Sequence, residues 1–305
     1  PFPRAQQRQL ALALMHRLGF DFSHGRLDES THPFCGGTPE DIRLTARFDE
    51  TDVLSGVMAI LHELGHALYE AGLPRPWIAQ PVGRARGIAA HESQSLAIEM
   101  QLGRSPAFLQ CLAADLRAHF GADPAFAADN LCRLYHRVER SFIRVDADEL
   151  TYPLHIILRY RLEKALIGDE LSVAELPAAW NEGMQALLAI TPPDDRRGVL
   201  QDIHWPMGAI GYFPCYTIGA LFAAQLIRRM RQDLPDLEAS LAAGVWTPAV
   251  SWLRQAVHAR ASLLRFEELV REATGEPLSV AAFFHHLSDR YGVRLPAADV
   301  NACDM

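Results

Sequence analysis

The sequence predicts a mainly α-helical fold with a small β-sheet near residues 30–50, and three observations predict it. Apolar residues recur at three- and four-residue spacing over most of the chain, the spacing of one buried helix face. A single stretch alternates apolar and polar residues instead, as a strand with one buried face does. No low-complexity tract, internal repeat or flexible linker divides the chain, so residues 1–305 read as one domain.

The alternating stretch is Ile42-Arg43-Leu44-Thr45-Ala46-Arg47-Phe48, and the turn cluster Gly36-Gly37-Thr38-Pro39 precedes it. Helical periodicity follows over 52–72, 83–103, 105–121, 125–141, 147–168, 208–231 and 262–291. Gly275 and Pro277 break the last of these into two helices. The uncharged run from Met207 to Ile227 is long enough for a membrane span. Pro214, Gly208, Gly211, Gly219 and Gln225 interrupt it, which fits a buried helix beside a functional site better.

Composition narrows the class. Hydrophobic residues make up 49% and charged residues 22%, the balance of a soluble globular protein. A formal net charge of −8 argues against a nucleic-acid surface, which needs clustered Lys and Arg. The five cysteines, Cys35, Cys111, Cys132, Cys215 and Cys303, are odd in number and form no CxxC pair, so buried thiols are expected rather than disulfides. PFPRAQQRQL has no apolar core of a signal peptide. The expectation is a cytoplasmic protein with no nucleic-acid or membrane partner.

The chemistry concentrates at His62-Glu63-Leu64-Gly65-His66, an HExxH motif. Two imidazoles four residues apart on a helix share a face and can reach one metal ion. Glu63 is offset by about 100° from His62, beside the ion rather than at it, where it can take a proton from water. The flanking pattern supports the helix: Val57, Ile60, Leu61, Leu64 and Leu68 form an apolar stripe, and His62, His66 and Glu70 fall opposite it. A hydrolytic zinc site needs a third protein ligand and an open position. Glu92, in His91-Glu92-Ser93-Gln94, is the candidate, with 25 residues between it and His66, enough for a loop and a second, antiparallel helix. Glu99, two turns on, is the alternative. His91 points about 100° away from Glu92 and is expected either to support the metal site from behind or to face substrate.

These residues resemble a known family. HELGHALYE at His62–Glu70, QPVGRARG at Gln80–Gly87 and HESQS at His91–Ser95 are similar to segments of the carboxypeptidase Taq family of metallocarboxypeptidases. Asp41-Ile42-Arg43-Leu44-Thr45 matches its DxRxT element, and Ile143-Arg144-Val145-Asp146-Ala147-Asp148 its IRxxAD element. Gly198-Val199-Leu200-Gln201-Asp202-Ile203-His204-Trp205 matches its GxxQDxHW element. Family members usually carry a long helical portion before DxRxT. Here forty residues precede Asp41, so the chain looks like the C-terminal, metal-bearing part of the usual protein.

The resemblance implies a helical metallopeptidase fold around a deep groove, a divalent ion (zinc, with cobalt as the alternative), a homodimer, and removal of single residues from peptides with a free C-terminus. It implies His62, His66 and Glu92 as metal ligands and Glu63 as general base. His204 and Tyr216 are the expected donors to the developing oxyanion, with Tyr212 as a rival. Arg144 is the expected clamp for the terminal carboxylate, its alternative being an ion pair with Asp146, Asp148 or Glu149. Arg43 could hold substrate similarly or position an edge strand along which an extended peptide pairs. Two rival functions remain: an HExxH endopeptidase, which has no need of Arg144, and a weakly active or non-catalytic fragment that binds metal and peptide.

Overall fold

The computed structural model describes residues 1–31 and 33–293; Cys303 lies outside these. Among them are twelve α-helices and one three-stranded sheet. The chain groups into two compact units, one of residues 1–135 and 219–286, the other of 136–218 and 287–293.

In the first unit, α1 (Arg4–Arg17) starts after Pro3 and buries Leu10, Ala11, Leu14 and Met15. Three strands follow: β1 (Gly25–Glu29), β2 (Phe34–Thr38) and β3 (Asp41–Ala46), in the order β1-β3-β2. β3 runs parallel to β1, with Leu27 opposite Leu44, and antiparallel to β2, with Cys35 opposite Leu44. Two expectations are corrected here. The strand that carries Arg43 is central, paired on both sides, and not an edge. Gly36, Gly37 and Thr38 belong to β2, leaving only Pro39 and Glu40 to turn the chain. Glycines read as a turn by propensity, but Gly37 (φ 115°) sits so tightly against β3 that an added Cβ would lie 2.0 Å from the Asp41 carbonyl oxygen.

α2 (Val53–Gly72) is capped by Asp52, whose carboxylate accepts from the Leu54 and Ser55 N–H groups. Its stripe of Val57, Ile60, Leu61, Leu64 and Leu68 is buried throughout. α3 (Gly87–Leu96) continues into a π-helical turn, Ala97–Leu102. α4 (Pro106–Phe120) has Ser105 as its cap and Pro106 in its first turn, and α5 (Ala128–Tyr135) is shorter than the periodicity suggests.

The second unit holds α6 (Tyr152–Ile167) and α7 (Leu176–Leu188), which pack Leu158, Leu162, Trp180, Met184 and Leu188 into a small core. Gly183 allows this packing, since a Cβ there would meet Leu158 Cδ1 at 2.2 Å. Residues 189–213 form no α-helix. α8 (Pro214–Asp233) therefore starts later than expected: Gly208 and Gly211 adopt positive φ and Pro214 opens the helix.

From Gly219 onward α8 belongs to the first unit, followed by α9 (Leu237–Ala242), α10 (Thr247–Ala256), α11 (Phe266–Thr274) and the part of α12 (Ala281–Tyr291) up to His286. Gly275, at φ 86°, stops α11 as the sequence predicts. Phe222, Leu226, Ile227 and Trp246 join Leu14, Leu61 and Leu112 in the main core. Among the described residues no helix is long and apolar enough to cross a membrane.

Candidate metal centre

α2 and α3 are antiparallel, because contacts that ascend one helix descend the other: His62 with Glu99, Gly65 with Ser95, His66 with His91. Gly65 lets them meet. A Cβ there would lie 2.5 Å from both the Gln94 carbonyl oxygen and Ser95 Cα. Gly219 of α8 does the same on the far side of Glu92, where an added Cβ would lie 2.9 Å from the Glu92 Cβ. Two glycines thus leave room for one carboxylate.

That carboxylate faces both histidines. His62 Nε2 lies 4.0 Å from Glu92 Oε1, and His66 Nε2 lies 3.5 Å from Glu92 Oε2. One donor atom from each of the three falls within 4.8 Å of the others. Each imidazole engages the protein through Nδ1: His62 with Glu99 Oε2 at 3.0 Å, His66 with His91 Nδ1 at 2.6 Å. Glu99 is held in turn by Arg104 at 2.5 Å, and His91 Nε2 lies 2.8 Å from Glu70 Oε1. The Nε2 atoms are left facing Glu92.

Burial opposes a charge on His62, yet the Glu99 hydrogen bond and the surrounding carboxylates push its pKa up to about 9. Burial pushes His66 down to about 4. Burial also resists ionisation of Glu92, but the His66 hydrogen bond and neighbouring imidazoles hold it below the usual carboxylate range. Burial raises the pKa of Glu63, and the charges of Glu92 and Glu99 add to the effect against His62. Glu63, Glu92 and Glu99 thus meet around two imidazoles, and in the neutral-imidazole form that binds a metal, three carboxyl groups outnumber the Arg104 guanidinium. Two nitrogens and a carboxylate oxygen in such surroundings fit a divalent cation of the zinc type.

The remaining candidates fall elsewhere. Arg43 is exposed and pairs with Asp41 at 2.7 Å. Arg144, His204, Tyr212 and Tyr216 gather in the second unit. Arg144 is only 6% exposed; its Nε and Nη2 both donate to Asp202 Oδ1, at 3.0 and 2.8 Å, and Nη1 donates to Tyr152 Oη at 2.6 Å. Its partner is therefore none of Asp146, Asp148 and Glu149. Asp148 caps the following turn through the Leu150 and Thr151 N–H groups, and Glu149 pairs with Arg290. His204 Nε2 lies 3.0 Å from Tyr216 Oη, and Tyr212 packs against both rings.

Sequence reasoning missed Asp202 and Arg159 as a structural pair. Arg159 is wholly buried, donates to Asp202 Oδ2 at 2.6 Å and to Gln201 Oε1 at 2.8 Å, and lies over the Trp180 ring. It also missed Glu163, which accepts from Trp205 Nε1 and the Gly211 N–H, both at 2.7 Å. The available signal was His155, Arg159 and Glu163 recurring every fourth residue along α6, a polar row on a buried face.

Comparison with known proteins places this geometry. The family model for carboxypeptidase Taq (M32) metallopeptidase matches residues 1–291. Carboxypeptidase 1 of Bacillus subtilis is 40% identical over 295 residues, covering 95% of this chain and 58% of that protein. Thermostable carboxypeptidase 1 of Thermus thermophilus is 41% identical over 292 residues, covering 95% and 57%. Among solved structures, Trypanosoma cruzi metallocarboxypeptidase 1 superposes with a TM-score of 0.94 at 41% identity, over 96% of this chain and 62% of that one. The chain therefore spans less than two thirds of the length of these relatives. Paired histidines, a carboxylate on the next helix and a match over nearly all of its own length lead to one assignment: the chain belongs to the carboxypeptidase Taq family of metallopeptidases.

Proposed function

We propose that the chain acts as a metal-dependent carboxypeptidase that releases single residues from peptide C-termini, with zinc as the ion and cobalt as the alternative. The observation that carries this reading is the convergence of His62, His66 and Glu92 with Glu63 beside them. A cytoplasmic setting and a homodimer follow from the composition and the family resemblance.

His62, His66 and Glu92 would hold the divalent ion, which would supply Lewis acidity toward water and the scissile carbonyl. Glu63, buried and biased toward protonation, takes the proton of the attacking water and returns it to the leaving amine. His204 and Tyr216, joined by a hydrogen bond, serve as donors to the developing oxyanion, with Tyr212 as the rival. Arg144 meets the terminal carboxylate. Asp202 and Tyr152 engage three of its five N–H donors, and one on Nη1 and one on Nη2 are left for substrate. Arg43 is the further substrate-side candidate in this reading, whereas His91, with Nδ1 taken up by His66 and Nε2 by Glu70, supports the metal site from behind.

The tight hold on Arg144 also favours a second reading, an endopeptidase in which that residue only supports the framework. An N-acetylated peptide incubated with the zinc-loaded protein, and followed by mass spectrometry, separates the two. Successive single C-terminal losses, absent for Glu63→Gln and in chelator, are expected. Internal fragments would support the endopeptidase, and bound zinc without any cleavage would support a weakly active binding fragment.

A further inference from the structure

We propose that Glu70 is a positioning residue for the metal centre: through His91 it fixes the tautomer and orientation in which His66 offers Nε2 to the ion. The inference rests on the metallopeptidase reading above. An ionised Glu70 only accepts hydrogen bonds, so at the 2.8 Å contact the proton sits on His91 Nε2. With Nε2 donating to Glu70, Nδ1 of His91 is the nitrogen that accepts. The 2.6 Å contact between the two Nδ1 atoms needs one proton, which must come from His66. Once a cation replaces the proton between His66 Nε2 and Glu92, 3.5 Å apart, this arrangement leaves the Nε2 lone pair for the ion. The polarity of the chain is set at its outer end. If His91 carried its proton on Nδ1 instead, His66 would have to accept there and protonate Nε2, and the ligand atom would be lost.

The surroundings hold the relay in place. Tyr69, fully buried, lies 5.1 Å from the His91 ring, and its hydroxyl accepts from the Arg86 N–H at 3.0 Å. Glu70 lies one helical turn beyond His66 on the same face of α2. It also lines a cavity of about 470 Å³ with Gly37, Thr38, Pro39, Arg75 and Arg84. The two ligand histidines are thus backed differently. His62 rests directly on the Glu99 carboxylate, whereas His66 reaches a carboxylate only through a second imidazole.

The test compares zinc affinity, by competition with a chromogenic chelator, for the full chain and for Glu70→Ala, Glu70→Gln, His91→Leu and the Glu70→Ala/His91→Leu double variant. The absorption spectrum of the cobalt-loaded forms and thermal unfolding of the metal-free forms accompany it. Glu70→Ala and His91→Leu should each weaken zinc binding by about 10- to 100-fold and alter the cobalt spectrum. Glu70→Gln, whose amide oxygen accepts the same N–H, should bind close to the parent. The double variant should be no weaker than His91→Leu alone. Parent-like affinity in Glu70→Ala, or additive losses in the double variant, would overturn the relay. A parent chain that binds no zinc would instead bring down the metallopeptidase reading itself. Glu70→Met, which fills the same space, replaces the alanine variant if that folds poorly.

Discussion

Glu63 shares a helix turn with two metal-ligand candidates, yet its surroundings treat it differently from Glu92 and Glu99. Burial resists ionisation of all three, but the Arg104 charge and the His62 hydrogen bond lower the pKa of Glu99, the His66 hydrogen bond lowers that of Glu92, and that of Glu63 stays raised. Groups that must gain and lose a proton need such tuning, and groups that only bind a cation do not. Glu63→Gln is therefore expected to slow peptide cleavage by about 10²- to 10⁴-fold in a chromatographic assay. Zinc affinity should be nearly unchanged, since Glu63 contributes no atom to the His62–His66–Glu92 cluster. A variant that lost zinc and activity together would make Glu63 a structural acid.

The pair of helices that carries the ligands depends on a residue with no side chain. Gly65→Ala would place a methyl group 2.5 Å from backbone atoms of α3, which cannot swing aside as a side-chain end can. Overpacking of this kind costs about 1–3 kcal/mol, read as a lower urea midpoint. Because the displaced segment is the one that holds Glu92, zinc affinity should fall in the same variant. Unchanged affinity would mean that α3 adjusts without moving Glu92. The spacing of HExxH showed which residues of α2 act together. That Gly65 is the contact point, and not merely a filler in the motif, required the neighbouring helix.

For the molecule as a whole, ions and protons are the levers on stability. Zinc at about 100 times its dissociation constant should stabilise the native state by about 2.7 kcal/mol, and a chelator should reverse the rise in Tm. A Tm indifferent to both would contradict the metal centre. Acid acts through His155, which is wholly buried. Burial first, then the Arg159 and Arg144 charges, hold its pKa down to about 4, while Asp202 opposes them. The unfolded chain takes up that proton near pH 6.5 and the folded one only near pH 4. Stability from this group is complete above pH 6.5 and declines as pH falls toward 4, by about 1.4 kcal/mol per pH unit at most. Urea midpoints at pH 7 and pH 5 should differ more for the parent than for His155→Leu; equal differences would refute the assignment.

The sequence by itself determined the helical class, the long helix with its buried stripe, the two histidines that share its face, and the acid on the next helix that meets them. Each follows from periodicity or from a short spacing, because residues three or four apart on a helix share a face whatever surrounds it. Local rules failed where partners are distant. Arg144 has three acids within five residues, yet its partner is Asp202, 58 positions on. The strand of Arg43 was read correctly as a strand and wrongly as an edge, since pairing with β1 and β2 is not written in its own alternation. α1, α7, α9 and α10 were missed although the stripe of α7, Leu176, Trp180, Met184 and Leu188, was legible at its four-residue spacing. Which Nδ1 contacts which carboxylate, and which glycine admits which helix, depends on distances between segments far apart in the chain, and only the tertiary structure sets those.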